Sequence, residues 1–231
     1  MEKYKREFIE FIISRGALRF GEFKLKSGRV SPYFINTGQL NDGYSIDRLG
    51  FFFASKIMDL MNPDEFDIIY GPAYKGIPLA VTTSISLSRD FNVVKHYAFN
   101  RKEAKMHGDI SSTTDKSKNL IVGKKIETGN RIIMLDDVFT TGDTKFESLS
   151  ILGNVAENLH FPYLIITVNR QEIGTDGTSA INVFEEKTGI PVESIITISD
   201  VIEYLEMMGK TTESIKDYLK KYGTEDVKVK L

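Results

Sequence analysis

The chain has 231 residues, with 30 lysines and arginines, 32 aspartates and glutamates, and no cysteine. The formal net charge of -2 excludes an overall attraction to nucleic acid or anionic membrane, and the lack of cysteine excludes disulfides, thiolate metal sites and a cysteine nucleophile. This length suits one large domain. Because no segment has the pattern of a signal peptide or the length of a membrane span, we expect a cytoplasmic protein.

The first forty residues predict a helix followed by a hairpin. Apolar side chains between Tyr4 and Ile13 recur on one side of a helix that ends near Gly16. The segment from Phe20 to Arg29 then alternates and reaches a glycine turn, and Tyr33 begins a return strand. We expect residues 1–40 to contribute a small hood to a single domain that spans 1–231.

Beyond residue 40, short apolar segments alternate with helical ones. This alternation predicts an α/β fold, with a doubly wound, mainly parallel five-stranded sheet and the small N-terminal hood. The charged tail from Gly223 to Leu231 predicts a loosely held end. The five predicted strands lie near residues 67, 93, 131, 163 and 195.

One stretch joins a buried strand to a polar loop. The run from Ile132 to Leu135 is short and uniformly apolar, as in a parallel strand, and Asp136 and Asp137 follow at once. A Thr-Thr-Gly turn then opens a helix, whose first backbone N–H groups favour a phosphate. The two acids suit a ribose diol or a hydrated Mg²⁺. The alternative is ordinary polar residues between a strand and a capped helix.

Three further segments carry cations, and two of them follow predicted strands at the same end of the sheet. Lys75 lies in a glycine-bearing turn between a strand and a helix, where an anionic group can bind. Residues 100–125 are long, polar and basic, which predicts either a solvated loop or a mobile catalytic lid. Arg170 follows a third apolar strand, and its guanidinium suits a planar anion.

The stretch from Ile132 to Thr144 resembles the ribose-phosphate signature of the type I phosphoribosyltransferases, which use phosphoribosyl pyrophosphate (PRPP). Other segments are similar to orotate phosphoribosyltransferase, in the same order and at similar spacing over about residues 1–210. They are Lys26 to Phe34, Gly71 to Pro78, Phe99 to Gly108 and Arg170 to Glu172.

The resemblance implies a role for each matching residue. Catalysis falls to Lys105, His107, Asp136 and Asp137. The orotate-binding residues are Lys26, Phe34, Ile35, Thr140 and Arg170. The PRPP-binding residues are Lys26, Tyr74, Lys75, Arg101, Lys102, Lys105, His107, Asp136, Asp137, Val138, Phe139, Thr140, Thr141, Gly142, Asp143 and Thr144.

Three positions depart from the family pattern. Asp143 stands where many members have a small residue, and Ile35 stands where a second phenylalanine is more common. The segment from Asp109 to Gly123 is longer than expected. These departures concern the phosphate loop, the base site and the far part of the lid.

The resemblance also implies the reaction and its partners. Orotate and PRPP give orotidine 5′-monophosphate and pyrophosphate, a step of de novo pyrimidine (UMP) biosynthesis. Mg²⁺ is the implied cofactor, carried mainly by PRPP near Asp136 and Asp137. A homodimer with lid residues shared across the interface is implied, with no nucleic-acid or membrane partner.

Two other functions compete with this one. A phosphoribosyltransferase for a neutral purine would use the same loop, but Arg170 and Lys26 argue against that base. A regulator that binds PRPP without turning it over would need no lid cations and usually carries a nucleic-acid-binding module, which the sequence does not suggest.

Overall fold

The computed structural model describes residues 1–102, 120–139 and 142–229. The helices are α1 Lys3–Ser14, α2 Gly43–Leu60, α3 Gly76–Phe91, α4 Asp143–Gly153, α5 Ala180–Thr188, α6 Ile198–Met207, α7 Glu213–Tyr222 and α8 Glu225–Lys228. The strands are β1 Leu18–Lys24, β2 Val30–Ile35, β3 Ile68–Tyr70, β4 His96–Asn100, β5 Ile121–Gly123, β6 Ile132–Leu135, β7 Leu164–Asn169 and β8 Val192–Thr197.

The main sheet is mainly parallel, in the order β5-β4-β3-β6-β7-β8. Strands β4, β3, β6, β7 and β8 pair in parallel, so their carboxyl ends lie along one edge. Alternate residues of each strand face opposite sides of the sheet. In β6, for example, Ile133 and Leu135 pack into one core, whereas Ile132 and Met134 pack into the other. Helices therefore cover both faces, which confirms the predicted doubly wound α/β fold.

Within the residues that the structure describes, the main sheet has six strands, so the predicted number of five was wrong. The additional strand is β5, which pairs antiparallel with the edge strand β4. It lies inside the segment 100–125 that was predicted to be a lid. A strand of three residues carries too little alternation to be recognised in a polar sequence. Gly123 has a φ of +93°, and a Cβ there would lie 2.4 Å from the Tyr97 carbonyl oxygen. Glycine therefore permits this close pairing.

The N-terminal region divides between the core and a separate hairpin. Helix α1 buries Phe8 and Ile9 in the main core, where the Phe8 ring lies 5.0 Å from that of Phe52. Strands β1 and β2 form an antiparallel two-stranded sheet, which we call the hood hairpin (residues 18–35). Helix α7 packs against β2. The hood hairpin thus lies between the carboxyl end of β7 and the C-terminal helices.

The predicted loose tail was wrong for the part that the structure describes. Residues 225–228 form α8, and Val227 is fully buried. The Thr224 N–H donates to the Gln171 carbonyl, 2.9 Å away. The burial of Val227 and this hydrogen bond stabilise the tail against the protein, although its many charged residues suggested an exposed end.

Across the described ranges, none of the helices combines the length and the apolar character required to span a membrane.

Candidate active site

The parallel pairing brings the predicted functional segments to one edge of the sheet. Residues 71–75 follow β3, residues 136–139 follow β6, and Arg170 follows β7, and these three strands are neighbours. The Nζ atom of Lys75 lies 2.7 Å from the Oδ2 atom of Asp137. We call these carboxyl ends the active-site edge.

Asp137 is the carboxylate that faces this edge. Its Oδ1 atom accepts from the Val138 N–H at 2.8 Å, and its Oδ2 atom accepts from Lys75 and from the Thr37 hydroxyl, 3.1 Å away. Burial raises the pKa of Asp137, but its hydrogen bonds and the Lys75 charge outweigh burial and hold that pKa below its usual value. The same hydrogen bond raises the pKa of Lys75. Both groups are therefore charged near neutral pH. The sequence did not indicate Thr37, since it lies far away in the chain.

Asp136 faces the interior and has its own lysine. Its Oδ1 atom accepts from the Asp137 N–H, and its Oδ2 atom lies 2.5 Å from the Nζ atom of Lys145. Lys145 also donates to the Val138 carbonyl at 2.8 Å and lies over the Phe139 ring. Both charged side chains are more than 90% buried. Burial raises the pKa of Asp136, and Lys145 offsets part of that rise. The two adjacent carboxylates therefore differ: Asp136 is paired with Lys145 in the interior, whereas Asp137 is paired with Lys75 at the active-site edge.

Lys145 was not predicted, because a lysine in the first turns of a helix normally faces solvent. The turn before it supports this inward direction. Gly142 has a φ of +86° at the start of α4, a conformation that favours glycine.

Asp143 and Thr144 form the first turn of α4 at the active-site edge. A phosphate at that turn stays a prediction, and Thr140 and Thr141 lie outside the described residues.

The loop after β3 is held by a buried asparagine that the sequence did not reveal. The Oδ1 atom of Asn100 accepts from the Ala73 N–H and from the Tyr70 hydroxyl, each at 3.0 Å. A Cβ on Gly71 would lie 1.9 Å from the Gly76 carbonyl oxygen, so this position requires glycine. The peptide bond between Ala73 and Tyr74 is cis. Tyr74 itself is 71% exposed and therefore available to a ligand.

The predicted orotate-binding residues mostly line one cavity of about 550 Å³ beside Asp137. The hood hairpin, the loop after β6 and the end of β7 supply its walls. Phe34 is not among the lining residues, because neighbouring residues of a strand face opposite sides. Its ring stacks on Phe23, with 5.5 Å between centroids. The lining includes Lys26, Ile35, Val138, Phe139 and Arg170.

The predicted lid is described only at its two ends. The Arg101 N–H donates to the Leu120 carbonyl at 2.7 Å. Lys102 reaches α4, where its Nζ atom lies 3.3 Å from a Glu147 carboxylate oxygen. Lys105 and His107 lie outside the described residues, so their catalytic roles stay predictions.

A resident metal ion does not suit this site. Within the described ranges, no group of three or more potential ligand side chains converges. Asp137 binds Lys75, and Asp136 binds Lys145. A Mg²⁺ ion normally takes six oxygen ligands and often uses one or two carboxylates together with substrate phosphates. A Mg²⁺ ion carried by a diphosphate therefore stays a prediction at this site.

Comparisons with known proteins agree with this geometry. No family model matches the chain. Orotate phosphoribosyltransferase of Vibrio cholerae is 42% identical over 226 residues, which cover 96% of this chain and all of that protein. The Clostridium acetobutylicum enzyme is 40% identical over 234 residues, covering 97% of this chain and all of the relative. The crystal structure of the Francisella tularensis enzyme has a TM-score of 0.79 and 32% identity, and it covers 94% of this chain and all of that one.

The sheet order and the residues at its carboxyl edge define a phosphoribosyltransferase of type I fold. The identities above extend over nearly the whole length of each relative. The chain belongs to the orotate phosphoribosyltransferase family. This confirms the resemblance that the sequence motifs indicated.

Proposed function

We propose that the chain transfers the ribose 5-phosphate of PRPP to orotate at the active-site edge, in de novo pyrimidine synthesis. The observation that carries the proposal is that the Lys75–Asp137 pair lies beside a cavity containing Lys26 and Arg170. The pair suits a ribose and its diphosphate, because one partner accepts hydroxyl protons and the other attracts phosphate. The cavity cations suit the carboxylate of orotate.

The side-chain charges at this edge are opposite in sign to the charges that develop on the substrate during the reaction. The ring nitrogen of orotate replaces the diphosphate at the anomeric carbon, and the nitrogen releases its proton. Positive charge builds on the ribose while the bond to the diphosphate breaks, and Asp137 would hold the ribose hydroxyls. Lys75 is 69% exposed and can exchange its contact with Asp137 for the departing diphosphate. The ion pair thus keeps both groups charged until PRPP arrives.

Mg²⁺ completes this proposal as an ion bound mainly by the PRPP diphosphate, near Asp136 and Asp137. When bound, it neutralises diphosphate charge and so favours bond breaking. Asp137 is the nearer candidate for a contact through water, since Asp136 is buried against Lys145. Removal of Mg²⁺ with EDTA should abolish turnover, and added Mg²⁺ should restore it.

We assign the part of residues 100–125 that connects β4 to β5 to a lid within a single domain that spans 1–231, and within residues 1–40 the hood is contributed by the hood hairpin. Arg101, Lys102, Lys105 and His107 would bring cations and a proton donor to the diphosphate. Closure of the lid would exclude water that otherwise hydrolyses PRPP. A homodimer in which the lid reaches the partner's site completes the proposal, and a cytoplasmic location stays a prediction.

The function is tested by following orotate absorbance with PRPP and Mg²⁺. Uracil, adenine and hypoxanthine serve as competing bases at the same concentration. We expect turnover with orotate at the highest kcat/KM. Turnover only with a purine would contradict the proposed base, and tight PRPP binding without pyrophosphate release from any base would indicate a regulator.

The shared lid is tested by mixing two variants of low activity, assayed at low orotate. K105A removes a lid cation, and R170Q removes the base contact. If the lid acts across a dimer, mixed dimers carry one site with an intact lid and an intact base cavity, and activity should rise well above that of either variant. If activity stays low although mixed dimers form, the lid serves its own subunit.

A further inference from the structure

A largely buried carboxylate, which lines the same cavity, pairs with the base-contacting arginine. Glu172 lies two residues after Arg170, and its side chain is 12% exposed. Its Oε1 atom accepts from the Nε atom of Arg170 at 3.0 Å and from the Nη2 atom at 2.6 Å. A charged donor and a charged acceptor make these hydrogen bonds strong and directional. One edge of the guanidinium is therefore already occupied before any substrate binds.

The occupied edge decides which part of Arg170 faces a ligand. A guanidinium has a second edge, formed by Nη1 and Nη2, that also presents two parallel N–H groups. Among described residues, the one further hydrogen-bond partner of this guanidinium is the Ser31 hydroxyl, 3.5 Å from Nη2, and Nη1 has none. The second edge is thus the one left for a planar anion in the cavity.

Glu172 is held in turn by two tyrosines from different elements. The Tyr33 hydroxyl on β2 donates to Oε1 at 2.5 Å, and the Tyr218 hydroxyl on α7 donates to Oε2 at 3.0 Å. Tyr33 is fully buried and Tyr218 is 7% exposed. The Arg170 guanidinium also lies over the Tyr33 ring, 4.6 Å from its centroid. The carboxylate therefore has donors on both oxygens and no freedom to rotate.

The contacts of Gln171, which lies between Arg170 and Glu172, support the same pairing of these two side chains. Gln171 adopts a φ of +53°, and its side-chain oxygen accepts from the backbone and hydroxyl of Ser199 on α6. Its carbonyl accepts from Thr224, at the start of the tail. Gln171 therefore points towards the C-terminal helices, while Arg170 and Glu172 meet each other.

We propose that Glu172 is a positioning residue for base recognition, and that Tyr218 of α7 sets the affinity for the base through it. The carboxylate selects the free edge of Arg170, and α7 fixes the carboxylate without touching the cavity. The inference rests on the proposed function, because it takes Arg170 as the contact to orotate. It adds α7, which does not line the cavity, to the elements that determine base specificity.

The test separates the KM for orotate from the KM for PRPP. E172Q keeps the shape of the side chain but places an amide against four hydrogen-bond donors, two from Arg170 and one from each tyrosine. We expect the KM for orotate to rise about tenfold or more, the loss associated with a hydrogen bond between charged groups, while the KM for PRPP stays within about twofold. If Glu172 acted only through its negative charge, E172Q would lower the KM for anionic orotate and overturn the proposal.

Tyr218 and Tyr222 provide a matched pair on one helix. Y218F removes the donor to Glu172 and should raise the KM for orotate about fivefold, the value of one ordinary hydrogen bond. Y222F removes a hydroxyl that bonds to no described residue and keeps the ring that packs on Arg29, so it should change neither KM. Equal effects of the two substitutions would overturn the role of Tyr218. Melting temperatures of both variants identify any loss of folding.

The R170Q background separates this inference from the proposed function. If Tyr218 acts through Arg170, Y218F should raise the KM for orotate no further in R170Q. If R170Q alone leaves that KM unchanged, the assignment of Arg170 fails. If R170Q raises it but E172Q and Y218F do not, the positioning role fails while the proposed function stands.

Discussion

The buried pair of Lys145 and Asp136 allows a quantitative prediction. In K145M, the methionine keeps the contact with the Phe139 ring, but Asp136 remains buried with one described hydrogen bond and no counter-ion. The carboxylate then escapes the cost of a buried charge by taking up a proton. Forcing an aspartate with an unfolded pKa of about 3.9 to be neutral costs about 4 kcal/mol at pH 7 and about 1.5 kcal/mol at pH 5.

These values set the part of the loss that comes from Asp136, and they set its dependence on pH. The pKa of Asp136 is already raised by burial, and the loss of Lys145 raises it further. The folded variant then holds a proton that the unfolded chain releases, so its stability falls as pH rises. We therefore expect K145M to be less stable than wild type by up to about 4 kcal/mol at pH 7, with a smaller deficit at pH 5.

Urea unfolding at the two pH values measures this loss, and far-ultraviolet circular dichroism is the suitable probe because the chain contains no tryptophan. K220M is the control, since the Lys220–Asp217 pair is exposed and should contribute under about 1 kcal/mol. The D136N/K145M double variant should recover stability, because no buried charge remains. A loss in K145M below about 1 kcal/mol at pH 7, or an equal loss at both pH values, would refute the reasoning.

Two further changes test the active-site edge and its support, and a third tests an ion pair at the opposite edge of the sheet, where β3 and β6 begin. D137N should lower kcat/KM for PRPP about a hundredfold, because the ribose hydroxyls lose a charged acceptor, and initial rates at varied PRPP measure this. N100A leaves the Ala73 N–H without its buried acceptor, which should cost about 1–3 kcal/mol in urea unfolding and raise the KM for PRPP. D67N tests a hydrogen bond from Arg131, which holds the pKa of Asp67 below its usual value. The wild-type advantage over D67N should be present at neutral pH and shrink as pH falls below about 4, since wild-type Asp67 then takes up a proton.

The alternation of apolar segments was sufficient to predict the doubly wound sheet. The failure at β5 has a physical cause, because three residues make only two side-chain alternations. The predicted tail failed for a related reason. Its charged residues dominate the pattern, whereas the single apolar contact of Val227 decides its position.

The site was predictable where function depends on the motif and unpredictable where it depends on distant contacts. Lys75, Asp137 and Arg170 follow strands that the sequence revealed, so their meeting could be expected. Thr37 reaches the same edge from another part of the chain, and nothing local marks it. Asn100 ends β4 and lies in a segment that the resemblance covers, but its contact with the loop after β3 was not predicted. Ile35 lines the cavity and Phe34 does not. This depends on which face of β2 each residue occupies, and composition does not determine that.

The antiparallel pairing of β5 with β4 has a consequence for the length of the chain between them. Asn100 pairs with Ile121, so the main sheet holds the two ends of the intervening segment next to each other. Insertions or deletions beyond that pairing add only a small entropic term, about 0.6 kcal/mol for each doubling of length. Related enzymes can therefore differ in this segment without disturbing the parallel strands, and chimaeras that exchange it should keep the stability of the parent.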